Sequence, residues 1–83
     1  MIDTYEHMHE QYPDVICLFR YGDFYEVYRD DAEKVSNILN ITLTHRDVNG
    51  TRIYMACFPF HALDIYFPRL VRAGLRVALV DGE

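Results

Sequence analysis

The sequence predicts an α/β (α+β) domain, a small mixed β-sheet of about five strands with three helices packed on it. Three observations carry this. The apolar period switches between 2 and 3.6 residues in the order α-β-β-α-β-β-α-β, with Gly, Pro, Asn and Asp between segments. Half of the residues are apolar (51%), including seven tyrosines and five phenylalanines, a composition that folds rather than staying disordered. The length of 83 residues suits a single domain near the lower limit for one hydrophobic core, and there is no repeat, linker or low-complexity segment.

Residues 3–12, DTYEHMHEQY, read as a short polar helix with Tyr5, Met8 and Tyr12 on one stripe, ended by Pro13 and Asp14. VICLFRY (15–21), branched and aromatic, reads as a central strand covered on both faces. Gly22-Asp23 is a tight connection into a returning strand, FYEVY (24–28). In DDAEKVSNILN, Asp30 or Asp31 is expected to cap a helix and Asn40 to stop it. Its apolar stripe is Ala32, Val35, Ile38 and Leu39. ITLT (41–44) reads as a strand, HRDVNGT as a loop turning at Asn49-Gly50, and RIYMACF (52–58) as another strand. Pro59 is placed to open the last helix, whose stripe is Leu63, Tyr66, Phe67, Leu70 and Val71. Pro68 removes one backbone hydrogen bond and predicts a kink, Gly74 closes the helix, and LRVALV (75–80) is the final strand.

No apolar run approaches the roughly 20 residues of a membrane span. The first residues carry Asp3, Glu6 and Glu10 without Lys or Arg, unlike a secretory signal, and the chain is read as cytoplasmic. Cys17 and Cys57 lie in apolar stretches and are expected as buried free thiols. The four histidines are scattered without zinc spacing, so neither a metal nor another cofactor is expected. A net charge of −5 argues against generic electrostatic binding to nucleic acid. The charge is uneven, however. Residues 1–35 hold nine acids against three bases, whereas His45–Arg76 holds Arg46, Arg52, Arg69, Arg72 and Arg76 against Asp47 and Asp64. A solvated surface accounts for that asymmetry as well as a binding face does.

The most informative stretch is GDFYEVY (22–28). Alternation along a strand puts Phe24, Glu26 and Tyr28 on one face, with Tyr25 and Val27 packing on the other. A flat apolar ring thus stands beside a carboxylate. A strand phenylalanine taken alone is usually core. Glu26 between Phe24 and Tyr28 is harder to place there, because an unpaired buried carboxylate is costly.

The string YPDVICLFRYGDFYEVYRDDAEKVSNILNITLTHR, with MACFPFHALDIYFPRLVRAGLRVALV after it, resembles the N-terminal domain of the MutS family of DNA mismatch-repair proteins. The likeness runs through Tyr-Pro, Gly-Asp-Phe-Tyr-Glu, an acidic pair, an amphipathic helix and a Pro-aromatic-His-Ala stretch, and covers residues 5–80. It implies a MutS domain I-like fold and a Phe-x-Glu motif on Phe24 and Glu26. In the family the phenylalanine wedges into the minor groove onto a mispaired base and the glutamate accepts a hydrogen bond from it. The chemistry fits. Stacking on an aromatic is worth about 1–3 kcal/mol per base, while unstacking a base step costs a few kcal/mol, less where pairing is already weakened. A carboxylate pushed toward phosphates is repelled unless it meets a donor, which penalises intact duplex. Arg46 and Arg52 suit phosphate contacts, and equally suit a solvated loop. His61 in PFHA is expected as a hydrogen-bonding residue at a helix start.

The chain also departs from the family pattern. It has no Gly-x4-Gly-Lys-Ser/Thr loop, so no ATP hydrolysis is expected of it. Cys57 stands where a smaller residue is usual, and Pro68 interrupts a helix that is normally unbroken. The resemblance therefore implies a module that binds mismatched or distorted double-stranded DNA, weakly on its own, because a single small module buries little surface. The alternative is a stand-alone interaction or regulatory module, with a protein partner that supplies the missing MutS-type domains. A nuclease built on Asp23, Glu26 and Asp30 is disfavoured, since Asp23 and Glu26 fall on opposite faces and no Lys or His accompanies them.

Overall fold

The computed structural model describes residues 2–81, as α1 (Ile2–Gln11), β1 (Val15–Tyr21), β2 (Phe24–Tyr28), α2 (Arg29–Leu39), β3 (Thr44–Val48), β4 (Thr51–Pro59), a 3₁₀ turn (Phe60–Ala62), α3 (Leu63–Arg72) and β5 (Arg76–Asp81). The strands form one mixed sheet in the order β3-β4-β2-β1-β5. Only β1 and β5 run parallel; the other neighbours are antiparallel. This is the expected five-stranded α+β architecture, with β1 inside the sheet and Ile16 to Phe19 fully buried.

Alternation divides the core in two. Ile16, Leu18, Tyr25, Val27, Ala56 and Phe58 point to the face covered by α2 and α3, where they meet Ala32, Val35, Leu39 and Leu70. Cys17, Phe19, Tyr28 and Met55 point the other way and meet Tyr5 of α1, with Met8 packed beside them. One short helix covers only part of that second face. The rest, toward the start of β2, stays open.

Several local expectations shift. Neither Asp30 nor Asp31 caps α2; the cap position is Tyr28, extended at φ −123° and without a side-chain bond. Asp31 is buried instead, its carboxylate 3.4 Å from the backbone nitrogen of Cys17, a donor two residues before the β1–β2 pairing begins at Phe19–Glu26. The strand expected over 41–44 begins at Thr44 and takes in His45 to Val48. The cause is the turn: Asn49 and Gly50 both have positive φ, as a two-residue hairpin of type I′ requires, and pairing runs back from Val48–Thr51 to Thr44–Met55. Polar THRDV tolerates this because β3 is an exposed edge strand.

Pro59 ends β4 and also caps the 3₁₀ turn that runs on into the last helix, so the helix does open at Pro59, but as 3₁₀, and α3 proper starts four residues later. Val71 is exposed, since α3 reaches the core only through Leu63, Tyr66 and Leu70. Tyr12 is also exposed, one residue past the end of α1. The helix continues through Pro68 to Arg72, and the chain leaves it by bonds from Gly74 N–H to Val71 O and Leu75 N–H to Leu70 O. Asn40 stops α2 as expected, in the left-handed region.

Candidate nucleic-acid interface

Gly22 sits at φ +55° and Asp23 does not share its positive φ, the backbone of a type II′ turn that places Phe24 directly opposite Tyr21. Only a residue without Cβ takes that conformation at no cost. The turn is tied at two further points. The N–H of Phe60 donates to Asp23 O at 2.8 Å, and Arg20 Nε–H donates to Gly22 O at 3.1 Å. The Arg20 guanidinium also lies 4.1 Å from the centroid of the half-exposed Phe60 ring. Phe24 therefore begins β2 on fixed backbone, yet the residue remains 47% exposed.

Directly opposite residues of antiparallel strands share a face. Phe24 opposes Tyr21 and Pro59, and Glu26 opposes Phe19 and Cys57, so ring and carboxylate stand together on the face that α1 leaves open. Behind them lies a groove of about 400 Å³ lined by Tyr21, Glu26, Tyr28, Arg46, Val48, Ile53 and Met55. Glu26 is half-buried and accepts a 2.6 Å hydrogen bond from the Tyr28 hydroxyl. Burial, then this bond and the nearby carboxylate charge, push the Tyr28 phenol well above its usual range, so it stays a donor.

The two candidate arginines separate. Arg46 opposes Ile53 and lines the groove with Glu26. Arg52 falls on the other face by alternation, 3.8 Å from Asp47 in an exposed ion pair. Cys57, expected to be buried, is exposed beside Glu26, because the open face has no helix over it; Cys17 is buried as anticipated. His61 is exposed in the 3₁₀ turn, edge-on to Phe60. In the sequence Tyr28 is only a neighbour of Glu26; the hydrogen bond between them is seen in the structure. The same alternation held that signal, since a tyrosine two positions on reaches the same side.

A family model described as MutS domain I matches residues 1–83. The chain belongs to the MutS domain I family. It is 54% identical over 83 residues to the DNA mismatch repair protein MutS of Phocaeicola vulgatus, covering 98% of this chain and 9% of that protein. It is 48% identical to the MutS of Christiangramia forsetii over 81 residues, again 98% of this chain and 9% of the relative. The Cytophaga hutchinsonii MutS is 56% identical over 73 residues, 86% of this chain and 8% of its own length. The MutS domain I chain thus spans about a tenth of the length of these curated relatives. Among its described residues no helix is long and apolar enough to cross a membrane.

Proposed function

We propose that this MutS domain I chain is a DNA-binding module of mismatch repair, in which Phe24 enters the minor groove at a mispair and Glu26 accepts a hydrogen bond from the displaced base. The single observation that carries the reading is the half-exposed Phe24 ring on a backbone-tied turn, on the same open face as Glu26. Family membership supports it, as do relatives named for DNA mismatch repair. The mispair is selected by deformability, because a weakened step is cheaper to unstack and kink than an intact one. Arg46 is the better placed of the two arginines to meet a phosphate flanking that step, while Arg52 serves only where the duplex reaches the other side of the β3–β4 hairpin. No catalytic step is assigned to these residues.

The test is a fluorescence-anisotropy titration at low salt, with matched duplex and duplex carrying one G·T mismatch. Phe24→Ala is expected to abolish the preference for mismatched DNA, a loss of about 1–3 kcal/mol of stacking, and Glu26→Ala to reduce it. A preference that survives the double substitution rejects the reading. A second reading, binding to a protein partner, draws on the net charge of −5 and on Ile65, Val71 and Leu79, which are exposed on α3 and β5. It predominates if the chain captures a stable partner and binds neither duplex at low salt.

A further inference from the structure

We propose that Tyr28 is a positioning residue for Glu26, its hydroxyl holding one carboxylate oxygen so that the other is presented, already oriented, to a base edge. The proposal rests on the reading of Phe24 and Glu26 as the DNA-contacting pair.

Glutamate has three side-chain torsions, and a solvated one loses that freedom when it must accept a bond in fixed geometry. Here the freedom is removed before DNA arrives. The Tyr28 ring is 5% exposed and wedged against Phe19 at 5.6 Å and Tyr5 at 6.1 Å between centroids. Its hydroxyl therefore occupies a place set by the core, at the boundary with the groove that Glu26 lines. From there it donates to Glu26 Oε1 at 2.6 Å, within the short range of hydrogen bonds to a carboxylate.

Arg46 lines the same groove but is paired with no carboxylate, the ion pairs among the described residues being Arg29–Glu6 and Arg52–Asp47. The two jobs are thereby divided: a neutral hydroxyl orients the acid, and the guanidinium remains available to phosphate. A bond to Arg46 in place of Tyr28 would neutralise the carboxylate charge that penalises intact duplex.

The experiment is a double-mutant cycle of Tyr28→Phe and Glu26→Ala on the full chain, with Phe24→Ala alongside, titrated with matched and G·T-mismatched duplex at low salt. Tyr28→Phe is expected to lower the mismatch preference about fivefold, with affinity for matched duplex unchanged and a melting temperature lowered by no more than the loss of one hydrogen bond. In the Glu26→Ala background it should change nothing further, which a merely structural tyrosine would not show. An equal loss in both backgrounds, or a loss shared by matched duplex, overturns the proposal. So does an unchanged preference in Tyr28→Phe when Phe24→Ala abolishes it. If Phe24→Ala has no effect either, the underlying wedge reading has failed, and the proposal with it. Independently of any variant, the Tyr28 hydroxyl proton should exchange slowly with water by NMR in the unmodified chain; fast exchange overturns the proposal.

Discussion

At the scale of single residues, β2 and α2 place two acids, Glu26 and Asp31, on different terms. Glu26 is half-exposed and bonded to a tyrosine, whereas Asp31 is fully buried with a long backbone N–H contact for company. Burial lifts the Asp31 pKa above the usual 3.8, against the opposing pull of the Cys17 N–H, His9 and Lys34. The folded state then holds that proton more tightly than the unfolded chain. Its contribution is most favourable below about pH 4 and is lost as pH rises through the folded pKa. Asp31→Asn keeps an acceptor for Cys17 and removes the charge. It is expected to stabilise the protein by about 1 kcal/mol at pH 7, with the advantage vanishing near pH 3. Thermal melts across that range check this, and an Asn variant less stable at pH 7 contradicts it.

At the scale of elements, the β3–β4 hairpin puts Arg46 on the Glu26 face. Its register depends on Asn49 and Gly50, both at positive φ, and a one-residue slip would turn Arg46 away and bring His45 or Asp47 to the groove. Gly50 has open space around it but sits at φ +79°, so the cost of a side chain there is conformational. Gly50→Ala is expected to lower stability by about 1–2 kcal/mol, read by urea denaturation, without altering the core on the helix-covered face. An unchanged midpoint would mean that the turn does not hold the register.

At the scale of the whole molecule, a net charge of −5 sets what binding can look like. On the proposed reading few phosphates would be neutralised, so affinity is expected to be weak and its dependence on salt shallow. Arg46→Ala is expected to weaken matched and mismatched duplex alike and to reduce the slope of log K against log salt by about one. Glu26→Ala should act in the opposite sense on matched DNA, since it removes a repulsive charge from the interface. A salt series with the unmodified chain and the two variants, each on matched and mismatched duplex, measures both effects. If Arg46→Ala changes only the mismatch preference, Arg46 reads the lesion rather than the backbone.

Much of this is legible in the sequence. Periodicity and turn residues placed eight elements in order, because apolar spacing and Gly, Pro and Asn act over a few residues along the chain. Alternation likewise put Phe24 and Glu26 on one side of β2. Long-range partners were not legible. Nothing local reveals that Asp31 serves a strand N–H fourteen residues earlier, that polar THRDV is an edge strand, or that α1 leaves the Phe24 end of the sheet bare. Those facts depend on which segments pack together, a property of the assembled chain that no window of sequence contains. Local patterning is enough to place the elements and the side of the strand that bears the ring and the acid. That this side is open, that Arg46 shares it while Arg52 does not, and that the Tyr28 hydroxyl donates to Glu26 follow only from how the segments pack.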